Sequence, residues 1–509
     1  MPPERRENLR AARTAVLHNL TDTVFDVLVI GGGITGAGTA RDAAMRGLSV
    51  AMVEKDDFAS GTSSRSSRLI HGGIRYLEHG QVHMVRESSR ERAILLEIAP
   101  HLVQRLRFTW PVYRGARVPR WKLSLGLSVY DRLAGYSKLW HHEKLDARGI
   151  LENEPFLNPK ELTGGASYFD ASTDDARLTL ANVLSAREYG AEAANYVRAI
   201  KINPGKPNGV RVRDELTSIE FEIRARSVVD ATGPWASEAR TQKSKGTHIA
   251  LDRKLVNNRD ALTVLSPVDG RVMFILPSGS FTIVGTTDSW TAESPDDVHA
   301  SPGEIDYLLR SARASFPEHY LSPDHVTSAW AGLRPLVASS TRGNPSAVSR
   351  EHRITRDRSG TISVSGGKMT TYRSMASEIC DEVQRALRSG KSPSTTADEM
   401  LAGEERASDL KDMIQEDPFL GETLIPEHQA TRAEVRYAAS RELAVTIGDI
   451  LIRRTRVAFE TADHGKVAAG IVADELSSLF TWSKNEKSDQ LRRYDAEANR
   501  IFGIGPSTA

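Results

Sequence analysis

The sequence predicts an α/β fold with a parallel sheet at its centre, and three stretches of the chain support that prediction. Residues 25–53 run from an apolar segment, FDVLVI, through three glycines and a helical pattern to a second apolar segment, which is the order of a β-α-β unit. Residues 227–235 (SVVDATGPW) and 361–368 (TISVSGGK) each have the pattern of a buried strand that ends in glycine before helix-compatible sequence. Parallel strands that return to one site explain all three patterns.

A glycine motif follows the first strand. Gly31-x-Gly33-x-x-Gly36 allows a sharp turn, a close approach of the backbone to a pyrophosphate, and packing of the next helix on the strand. Glu54 ends the second strand, where a carboxylate can accept hydrogen bonds from a ribose diol. These features together predict a dinucleotide-binding unit, which NAD and FAD both use.

The two distant strands favour FAD. One is followed by residues 230–233 (DATG), and residues 366–368 (GGK) open a late helix. Remote parts of the chain that return to the site would cover a longer, more extended cofactor, although either segment taken alone is also compatible with an ordinary strand-end turn. We predict FAD, with these residues among its ligands: Gly31, Gly33, Gly36, Glu54, Gly233, Gly367 and Lys368.

Alternating patterns between these strands predict antiparallel pairing. They occur at 221–229, 271–288 and 352–366, with hairpin turns at Ser278-Gly279 and Ser359-Gly360. We expect these strands to form a sheet that covers the substrate, built from segments of chain that leave the nucleotide-binding domain.

The remainder of the chain has a helical pattern, notably at 431–456 and 466–500. Residues 1–20 are charged throughout and lack the apolar centre of a secretory signal, which predicts a frayed helical arm. The predicted domains are an N-terminal arm (1–20), a discontinuous FAD-binding domain (21–105, 170–235 and 345–392), a substrate domain (106–169 and 236–344) and a C-terminal helical domain (393–509).

Length and composition limit the class of protein. At 509 residues the chain is too long for one compact core, and its formal net charge of +1 gives no electrostatic reason to expect a nucleic-acid partner. The single cysteine, Cys380, excludes an internal disulfide and a multi-cysteine metal or iron–sulfur site, and it agrees with a reducing compartment. We therefore predict no metal. No stretch reaches the roughly twenty apolar residues that cross a bilayer, so we expect a body that is soluble or lies on a membrane surface.

A hydroxyl-rich and glycine-rich segment, FASGTSSRSSRLIHGGIRYLE at 58–78, follows the β-α-β unit. It closely resembles the FAD-dependent glycerol-3-phosphate dehydrogenases of the aerobic, quinone-linked type. The resemblance is strong over residues 24–373, weaker in the C-terminal region with DILIRRTR at 449–456, and does not include residues 1–20. The other matching motifs are DDARLTLAN (174–182), DATGPW (230–235), KGTHI (245–249), FTIVGTTD (281–288), GLRPL (332–336) and SGGKMTTYR (365–373).

The resemblance implies a fold and an activity. The fold is a Rossmann-like FAD-binding domain of the glutathione-reductase/D-amino-acid-oxidase type, with an antiparallel-sheet substrate domain and a C-terminal α-helical domain. The implied activity is oxidation of sn-glycerol 3-phosphate to dihydroxyacetone phosphate by hydride transfer from C2 to noncovalent FAD, with electrons passing to a membrane quinone. A cytoplasmic homodimer, peripheral on the inner face of the cell membrane, is also implied.

Hydride transfer from a secondary alcohol requires a base for the hydroxyl proton and, for this substrate, cations for the phosphate. His248, in KGTHI, is the predicted base, the alternative being a structural histidine. Arg334 and Lys368 complete the predicted catalytic set, because Lys368 could stabilise the negative charge of a reduced flavin. The resemblance places the substrate against Arg75, Tyr76, Thr286, Arg334 and Arg350.

The segment at 58–78 supplies further candidate flavin contacts, although hydroxyl-rich loops also serve as helix N-caps. His71 suggests a covalent flavin link, but the resemblance implies that FAD is held noncovalently. The predicted contacts from this segment are Thr62, Ser63, Ser66, Ser67 and Gly72.

Residues 117–140 are the best local candidate for a membrane face. Basic and apolar side chains alternate there in a mixture that suits anionic headgroups above acyl chains, and the alternative is a buried helix with a solvated face. The residues concerned are Arg120, Trp121, Lys122, Leu123, Leu125, Leu127, Arg132, Lys138 and Trp140.

Two other classes of function stay open. One is a related FAD enzyme that oxidises an amine, sarcosine or a 2-hydroxyacid, or a glycerophosphate oxidase that uses oxygen. Several convergent cations suit a phosphate dianion better than a carboxylate, and the short interval from Arg350 to Lys368 leaves no room for a large oxidase-type insertion. The other class is a nucleotide-binding scaffold without turnover.

Overall fold

The computed structural model describes residues 9–134, 140–237, 240–317, 319–338, 348 and 350–505, apart from the side chains of Arg75, Glu78 and His79. Its strands are β1 (Val24–Ile30), β2 (Val50–Val53), β3 (Leu69–Ile70), β4 (Val103–Tyr113), β5 (Glu143–Leu145), β6 (Leu162–Thr173), β7 (Glu192–Ala194), β8 (Val197–Asn203), β9 (Asn208–Asp214), β10 (Glu220–Asp230), β11 (Thr241–Asp252), β12 (Ala261–Leu265), β13 (Val272–Ser278), β14 (Phe281–Gly285), β15 (Ser289–Trp290), β16 (Val326–Val337), β17 (His352–Arg356), β18 (Ile362–Gly366), β19 (Thr423–Ile425) and β20 (His428–Thr431). Its α-helices are α1 (Leu9–Asp22), α2 (Ile34–Met45), α3 (Val82–Ile98), α4 (Arg120–Ala134), α5 (Ala147–Asn153), α6 (Asp175–Glu188), α7 (Arg253–Val256), α8 (Pro302–Ser315), α9 (Tyr372–Leu387), α10 (Arg406–Glu416), α11 (Arg432–Arg441), α12 (Lys466–Phe480) and α13 (Lys484–Phe502).

The first sheet contains the four strands that the sequence predicts to be parallel. Strands β2 and β10 both pair in parallel with β1, and β18 pairs in parallel with β10. The strand order is β18-β10-β1-β2-β7. Alanines of α2, such as Ala37 and Ala40, pack on Val27 and Val29 of β1, because small side chains let the helix approach the sheet closely. The carboxyl ends of these strands therefore meet at one edge, where ligands of such sheets bind.

Two of the three stretches with an alternating pattern, 221–229 and 352–366, extend this first sheet instead of covering the substrate. Strand β17 pairs with β18, and β9 pairs with the first half of β10, whose second half pairs with β1. One long strand thus takes part in both pairings. Only the hairpin of β13 and β14 belongs to the second sheet. The expectation of a substrate-covering sheet was therefore wrong for the other two stretches, although the predicted domain boundaries include both in the FAD-binding domain.

The second sheet is mainly antiparallel, in the order β15-β11-β14-β13-β12-β4-β6-β3, with β16 also paired to β11 and β5 to β6. The pair β12 and β4 is parallel. Strand β3 lies in the range predicted for the FAD-binding domain, yet it pairs with β6 of this sheet. The chain therefore crosses between the two sheets at residues 69–70. The domain boundaries stay predictions.

The C-terminal region is helical, with a short hairpin of β19 and β20. The predicted helix at 466–500 is two helices, because Thr481 ends α12 with a φ of 51° and Ser483 begins α13 with a capping box to Glu486. The region shares one hydrophobic core with the second sheet, in which Ile450 and Phe459 pack with Trp330 and its neighbours. It is therefore packed against the second sheet and is not a detached cap.

The N-terminal arm is a helix, as predicted, but over residues 9–22 it is not frayed. Arg13 donates to Asp214 at 2.7 Å, Arg10 donates to Glu486 of α13 at 2.7 Å, and Leu20 is buried. Helix α1 therefore connects the first sheet with the C-terminal region. Residues 1–8 lie outside the described part of the chain. Within the described ranges, every helix is too short or too polar to span a lipid bilayer.

Candidate active site

A cavity of about 520 Å³ lies between the carboxyl edge of the first sheet and strands β11 and β16 of the second. A few predicted site residues are not part of its wall: among the described residues, Gly36, Gly72 and Thr286 do not line it, and the side chain of Arg75 lies outside the description. The predicted residues that do line it are Gly31, Gly33, Glu54, Thr62, Ser63, Ser66, Ser67, Tyr76, Gly233, His248, Arg334, Arg350, Gly367 and Lys368.

The glycine motif forms one end of the cavity. Gly31 has a φ of 110°, and a Cβ on it would lie 2.6 Å from the carbonyl oxygen of Ala231 on the neighbouring strand. A Cβ on Gly36 would overlap the carbonyl oxygen of Gly31. Gly36 thus allows α2 to pack on the turn without itself facing the ligand, whereas Gly31 leaves room at the strand ends.

Gly72 likewise faces away from the cavity. Its N–H donates to the carboxylate of Asp170 at 2.9 Å, and a Cβ on it would meet the Tyr130 hydroxyl and Ser89. The prediction that Gly72 contacts the cofactor therefore gains no support from its position. Its close packing explains the need for glycine.

Glu54 is half-buried at the same end of the cavity. Its two carboxylate oxygens accept hydrogen bonds from the backbone N–H groups of Gly32, at 2.6 Å, and Asp56, at 3.0 Å. Burial raises the pKa of Glu54 to about 7. The carboxylate is thus held rigidly by the backbone, in the position that the sequence predicts for a ribose diol.

Because ionised Glu54 accepts hydrogen bonds from ribose more strongly than the protonated acid, FAD binding by the apoprotein should depend on pH. The free carboxyl group has a raised pKa near 7, so the affinity should rise with pH and fall by up to ~10-fold per unit below about pH 7. Glu54→Gln should bind FAD ~10-fold more weakly at pH 8 and remove this dependence. Fluorescence titration of apoprotein with FAD measures both effects, with exposed Glu152→Gln as the control; parallel profiles for wild type and Glu54→Gln would contradict the assignment.

The loop at 58–68 connects four parts of the site through its hydroxyl groups. Ser63 Oγ accepts from the N–H of Ile34 at the start of α2, at 3.0 Å, and Thr62 donates to a β16 carbonyl at 2.6 Å. Ser66 donates to Asp175 at 2.8 Å, and Ser67 Oγ lies 2.9 Å from His248 Nε2. The loop therefore links the glycine turn to the second sheet. Whether these hydroxyls contact the flavin stays a prediction.

His248 lies on β11 between two partner strands. It is opposite Gly285 of β14 and Trp330 of β16, and its ring stacks on Trp330 with centroids 5.5 Å apart and planes at 15°. Gly285 leaves room for the imidazole, since a Cβ there would overlap the ring. Phe459 of the C-terminal region packs edge-on against Trp330, with ring centroids 5.1 Å apart. The histidine is therefore fixed by packing from both the sheet and the C-terminal region.

The imidazole of His248 is electrically neutral at physiological pH. Burial lowers the pKa of His248 to about 3, and the positive charges of Arg334 and Arg68 add to the effect. A neutral imidazole has a lone pair that can accept a proton. The site thus provides the protonation state that a general base requires.

Arg334 approaches His248 from β16. Its guanidinium lies over Gly246, two residues before His248 and on the same face of β11. One guanidinium nitrogen donates to Thr286 Oγ1 at 3.0 Å and another to Asp288 Oδ1 at 3.1 Å. Thr286 therefore holds the arginine and does not line the cavity itself, which differs from its predicted contact with substrate.

A methyl group at position 246 would take the place of the Arg334 guanidinium, since a Cβ there would lie 2.6 Å from its Cζ. Gly246→Ala should displace the guanidinium and lower kcat/KM for the substrate by ~10-fold or more, with little loss of stability because a flexible side chain can move. Steady-state kinetics and thermal unfolding measure the two effects. Gly126→Ala, where a Cβ meets nothing within 4 Å, is the control, and unchanged kcat/KM in Gly246→Ala would contradict the geometry.

Asp288 joins the cations of this end of the cavity. Besides Arg334, its carboxylate forms ion pairs with Arg350 at 3.0 Å and with Arg271 at 3.3 Å. It also accepts a hydrogen bond from the hydroxyl of Ser244. Burial opposes ionisation, but Arg334 and Arg350 outweigh it and lower the pKa of Asp288 to about 2. Asp288, Arg271 and Ser244 were not among the site residues predicted from the sequence. Asp288 closes the motif FTIVGTTD and could have been found there, whereas Arg271 has no comparable signal.

Lys368 supplies a further cation at the carboxyl end of β18. Its ammonium nitrogen lies 4.7 Å from the ring centroid of Tyr76 and bonds the hydroxyl of Ser88. Both Lys368 and Tyr76 line the cavity. The arrangement brings a compact positive charge to the first sheet, opposite the arginines of the second.

Comparisons with known proteins agree with this site. The family described as FAD dependent oxidoreductase matches residues 26–382, and the C-terminal domain of alpha-glycerophosphate oxidase matches residues 364–487. The aerobic glycerol-3-phosphate dehydrogenase of Bacillus subtilis is 33% identical over 94% of this chain and 96% of its own. The structure of the glycerol-3-phosphate dehydrogenase of Bacillus halodurans complexed with FAD has a TM-score of 0.78 and 29% identity, and the match covers 96% of this chain and 97% of that one.

A second solved structure shares the fold alone. The L-alpha-glycerophosphate oxidase of Mycoplasma pneumoniae with FAD bound has a TM-score of 0.59 and 18% identity, over 75% of this chain and 100% of that one. The fold, the glycine turn and the backbone-held Glu54 define an FAD-dependent oxidoreductase. Within that class, the chain belongs to the glycerol-3-phosphate dehydrogenase family. The predicted fold class, family and cofactor are confirmed.

Proposed function

We propose that this protein oxidises sn-glycerol 3-phosphate to dihydroxyacetone phosphate and passes the electrons to a membrane quinone. The observation that supports the substrate is the neutral His248 beside arginines gathered on Asp288, within the cavity that Glu54 and the glycine turn share. The names of the relatives support the same substrate.

The charges suit a phosphate dianion. Arg271, Arg334 and Arg350 all pair with the carboxylate of Asp288, and Arg334 and Arg350 also line the cavity. A carboxylate substrate would need only one bidentate arginine. The cluster therefore favours a phosphorylated alcohol over the amine, sarcosine and 2-hydroxyacid alternatives.

The roles of the residues follow from their positions. The arginines would hold the phosphate and so orient C2 of the substrate, while His248 would accept the proton of the C2 hydroxyl. Bound FAD supplies the acceptor for the hydride that leaves C2. Lys368, with Tyr76 beneath it, would place a positive charge near the flavin. A contact of Arg75 with substrate stays a prediction, as does noncovalent attachment of FAD.

Turnover with defined acceptors tests the reaction and the acceptor together. Dihydroxyacetone phosphate formation should be supported by a soluble quinone analogue under nitrogen, and hydrogen peroxide should account for only a small share of product in air. Stoichiometric peroxide would instead identify an oxidase. Failure to form dihydroxyacetone phosphate with either acceptor would refute the proposed substrate.

Helix α4 supports a proposal of peripheral membrane contact. Trp121, Leu125 and Val129 lie one above another on one face, with exposed fractions of 70%, 60% and 40%, and Lys122 and Arg132 are on the same helix. Leu123 and Leu127 are buried in the core, as expected of a helix packed on the protein, so the proposed contact involves the exposed face alone.

The end of the proposed membrane segment differs from expectation. Trp140 packs edge-on against Phe169, at 5.2 Å between centroids, and under Arg105, at 3.8 Å. Its ring therefore takes part in protein contacts. Lys138 lies outside the described residues. A homodimer and a place on the cytoplasmic face of the membrane are proposed from the resemblance alone.

Removal of the exposed apolar groups should weaken membrane binding. The double change Trp121→Ser and Leu125→Ser should lower co-sedimentation with vesicles that contain anionic phospholipid by ~10-fold or more, since each apolar side chain contributes on the order of 1.5 kcal/mol when buried. Turnover with a soluble acceptor should not change. Ile219→Ser, at a position 62% exposed on the β9–β10 turn, is the control; equal sedimentation of all three proteins would reject α4 as the contact.

A further inference from the structure

The two nitrogens of the His248 ring have different surroundings. Nδ1 is buried and has no hydrogen-bond partner among the residues that the structure describes, whereas Nε2 lies 2.9 Å from Ser67 Oγ. One face of the ring is covered by Trp330. Because Nδ1 is shielded from the cavity, a ligand would exchange a proton with His248 through Nε2. The Ser67 hydroxyl lies beside that nitrogen.

Ser67 itself lines the cavity. Its neighbour Ser66 anchors the loop, because both the N–H and the hydroxyl of Ser66 donate to Asp175, at 3.0 and 2.8 Å, and the N–H of Arg68 donates to Ser66 Oγ at 3.0 Å. Arg68 then packs 5.8 Å from the ring centroid of Trp330. The loop is thus held in place by residues on both sides of Ser67, and the contact of the Ser67 hydroxyl with His248 is not needed to hold it.

We propose that Ser67 is a catalytic residue that relays the substrate proton to His248. This role rests on the proposed function, in which a C2 hydroxyl is oxidised. It differs from the cofactor contact that the sequence predicts for Ser67. Relay through a hydroxyl requires that Ser67 donate to an unprotonated Nε2, so that the hydrogen of the neutral ring is on Nδ1.

The step is balanced as a concerted transfer of two protons and one hydride. The hydroxyl O–H of the substrate breaks and its proton moves to Ser67 Oγ, while the Ser67 proton moves to Nε2. The electron pair of the O–H bond forms the carbonyl π bond as the C2–H bond breaks, and the hydride that leaves C2 would be accepted by bound FAD. Ser67 ends unchanged and His248 becomes an imidazolium.

The surroundings limit how long that imidazolium lasts. Burial and the charges of Arg334 and Arg68 lower the pKa of His248, so the ring is unprotonated before the reaction and releases the proton after it. A bound phosphate dianion would offset the arginine charges during the step. The relay therefore uses His248 as a transient acceptor, and the hydroxyl of Ser67 provides its connection to the cavity.

The test is the rate of flavin reduction in single-turnover experiments with the holoenzyme and sn-glycerol 3-phosphate. Ser67→Ala should reduce this rate by ~100-fold, the usual contribution of a proton-transfer group, with FAD content and the substrate concentration at half-saturation unchanged. Ser67→Thr should recover at least ~10-fold of that loss. Ser64→Ala is the matched control, because Ser64 is buried in the same loop and is not among the cavity-lining residues.

A solvent isotope measurement distinguishes a relay from a structural role. In mixtures of H₂O and D₂O the wild-type rate should follow a curved dependence on deuterium fraction, as for two protons in motion, and Ser67→Ala should follow a straight line. Loss of FAD from Ser67→Ala would show a cofactor contact instead and overturn the relay, as would a reduction rate within 3-fold of wild type. If wild-type flavin is not reduced by this substrate at all, the proposed function fails first.

Discussion

His248→Ala should slow reduction of the bound flavin by sn-glycerol 3-phosphate by ~10³-fold while FAD stays bound. The expected loss lies in the middle of the range of 10²- to 10⁴-fold that general-base catalysis contributes. His248 is distant from Glu54 and the glycine turn in the sequence. Among the described residues, no hydrogen bond joins His248 to either of them. Stopped-flow absorbance measures the rate, and His18→Ala on the surface of α1 is the control.

The pH dependence of kcat/KM distinguishes protonation of His248 from ionisation of the substrate phosphate. Because the pKa of His248 is lowered to about 3, its imidazole stays neutral above pH 5, and kcat/KM should not lose activity there through protonation of His248. The rise of kcat/KM with pH should instead follow the second ionisation of the substrate phosphate, near pH 6.

A His248→Ala variant with wild-type rates of flavin reduction would refute the assignment of His248 as the base.

Arg334→Ala should lower kcat/KM for sn-glycerol 3-phosphate by ~10²- to 10³-fold. Hydrogen bonds to a charged group contribute about 1.5–3 kcal/mol each, and a phosphate held in the wrong place also misaligns C2. Asp288 would keep its contacts with Arg350 and Arg271, at 3.0 and 3.3 Å, so the fold should survive. Steady-state kinetics measure the effect.

Arg334→Lys provides the informative comparison, since it retains the charge and loses the planar guanidinium. Its kcat/KM should lie between those of Arg334→Ala and wild type. Arg148→Ala, at an exposed position on α5, is the control. If Arg334→Ala kept wild-type kcat/KM, the phosphate would have to bind elsewhere in the cavity.

The FAD end of the site could be predicted from the sequence because its signals are local. Apolar runs that end in glycine predict parallel strands and their turns, and Glu54 follows from the end of the second run. His248 and Arg334 were found only through motifs of the family. The structure brings them together because β11 and β16 pair in register from Thr241 to Ala250.

The remaining features depend on partners that a sequence pattern does not name. Arg271 meets Asp288 only because β13 and β14 form a hairpin beside β11, and period-2 alternation does not specify which strand lies next to which. The same reason explains why the alternating stretches 221–229 and 352–366 were expected in the sheet that covers the substrate. Helical periodicity predicted α12 and α13 but could not show that Phe459 would pack against Trp330.

The most direct test of the central claim is the visible spectrum of the purified holoenzyme under anaerobic conditions during titration with sn-glycerol 3-phosphate. The flavin bands should bleach completely at about one equivalent of substrate per flavin, while sarcosine and 2-hydroxyglutarate should leave them unchanged. A flavin that stays oxidised with excess sn-glycerol 3-phosphate would contradict the proposed substrate, and bleaching by either of the other compounds would place the protein among enzymes for carboxylate substrates.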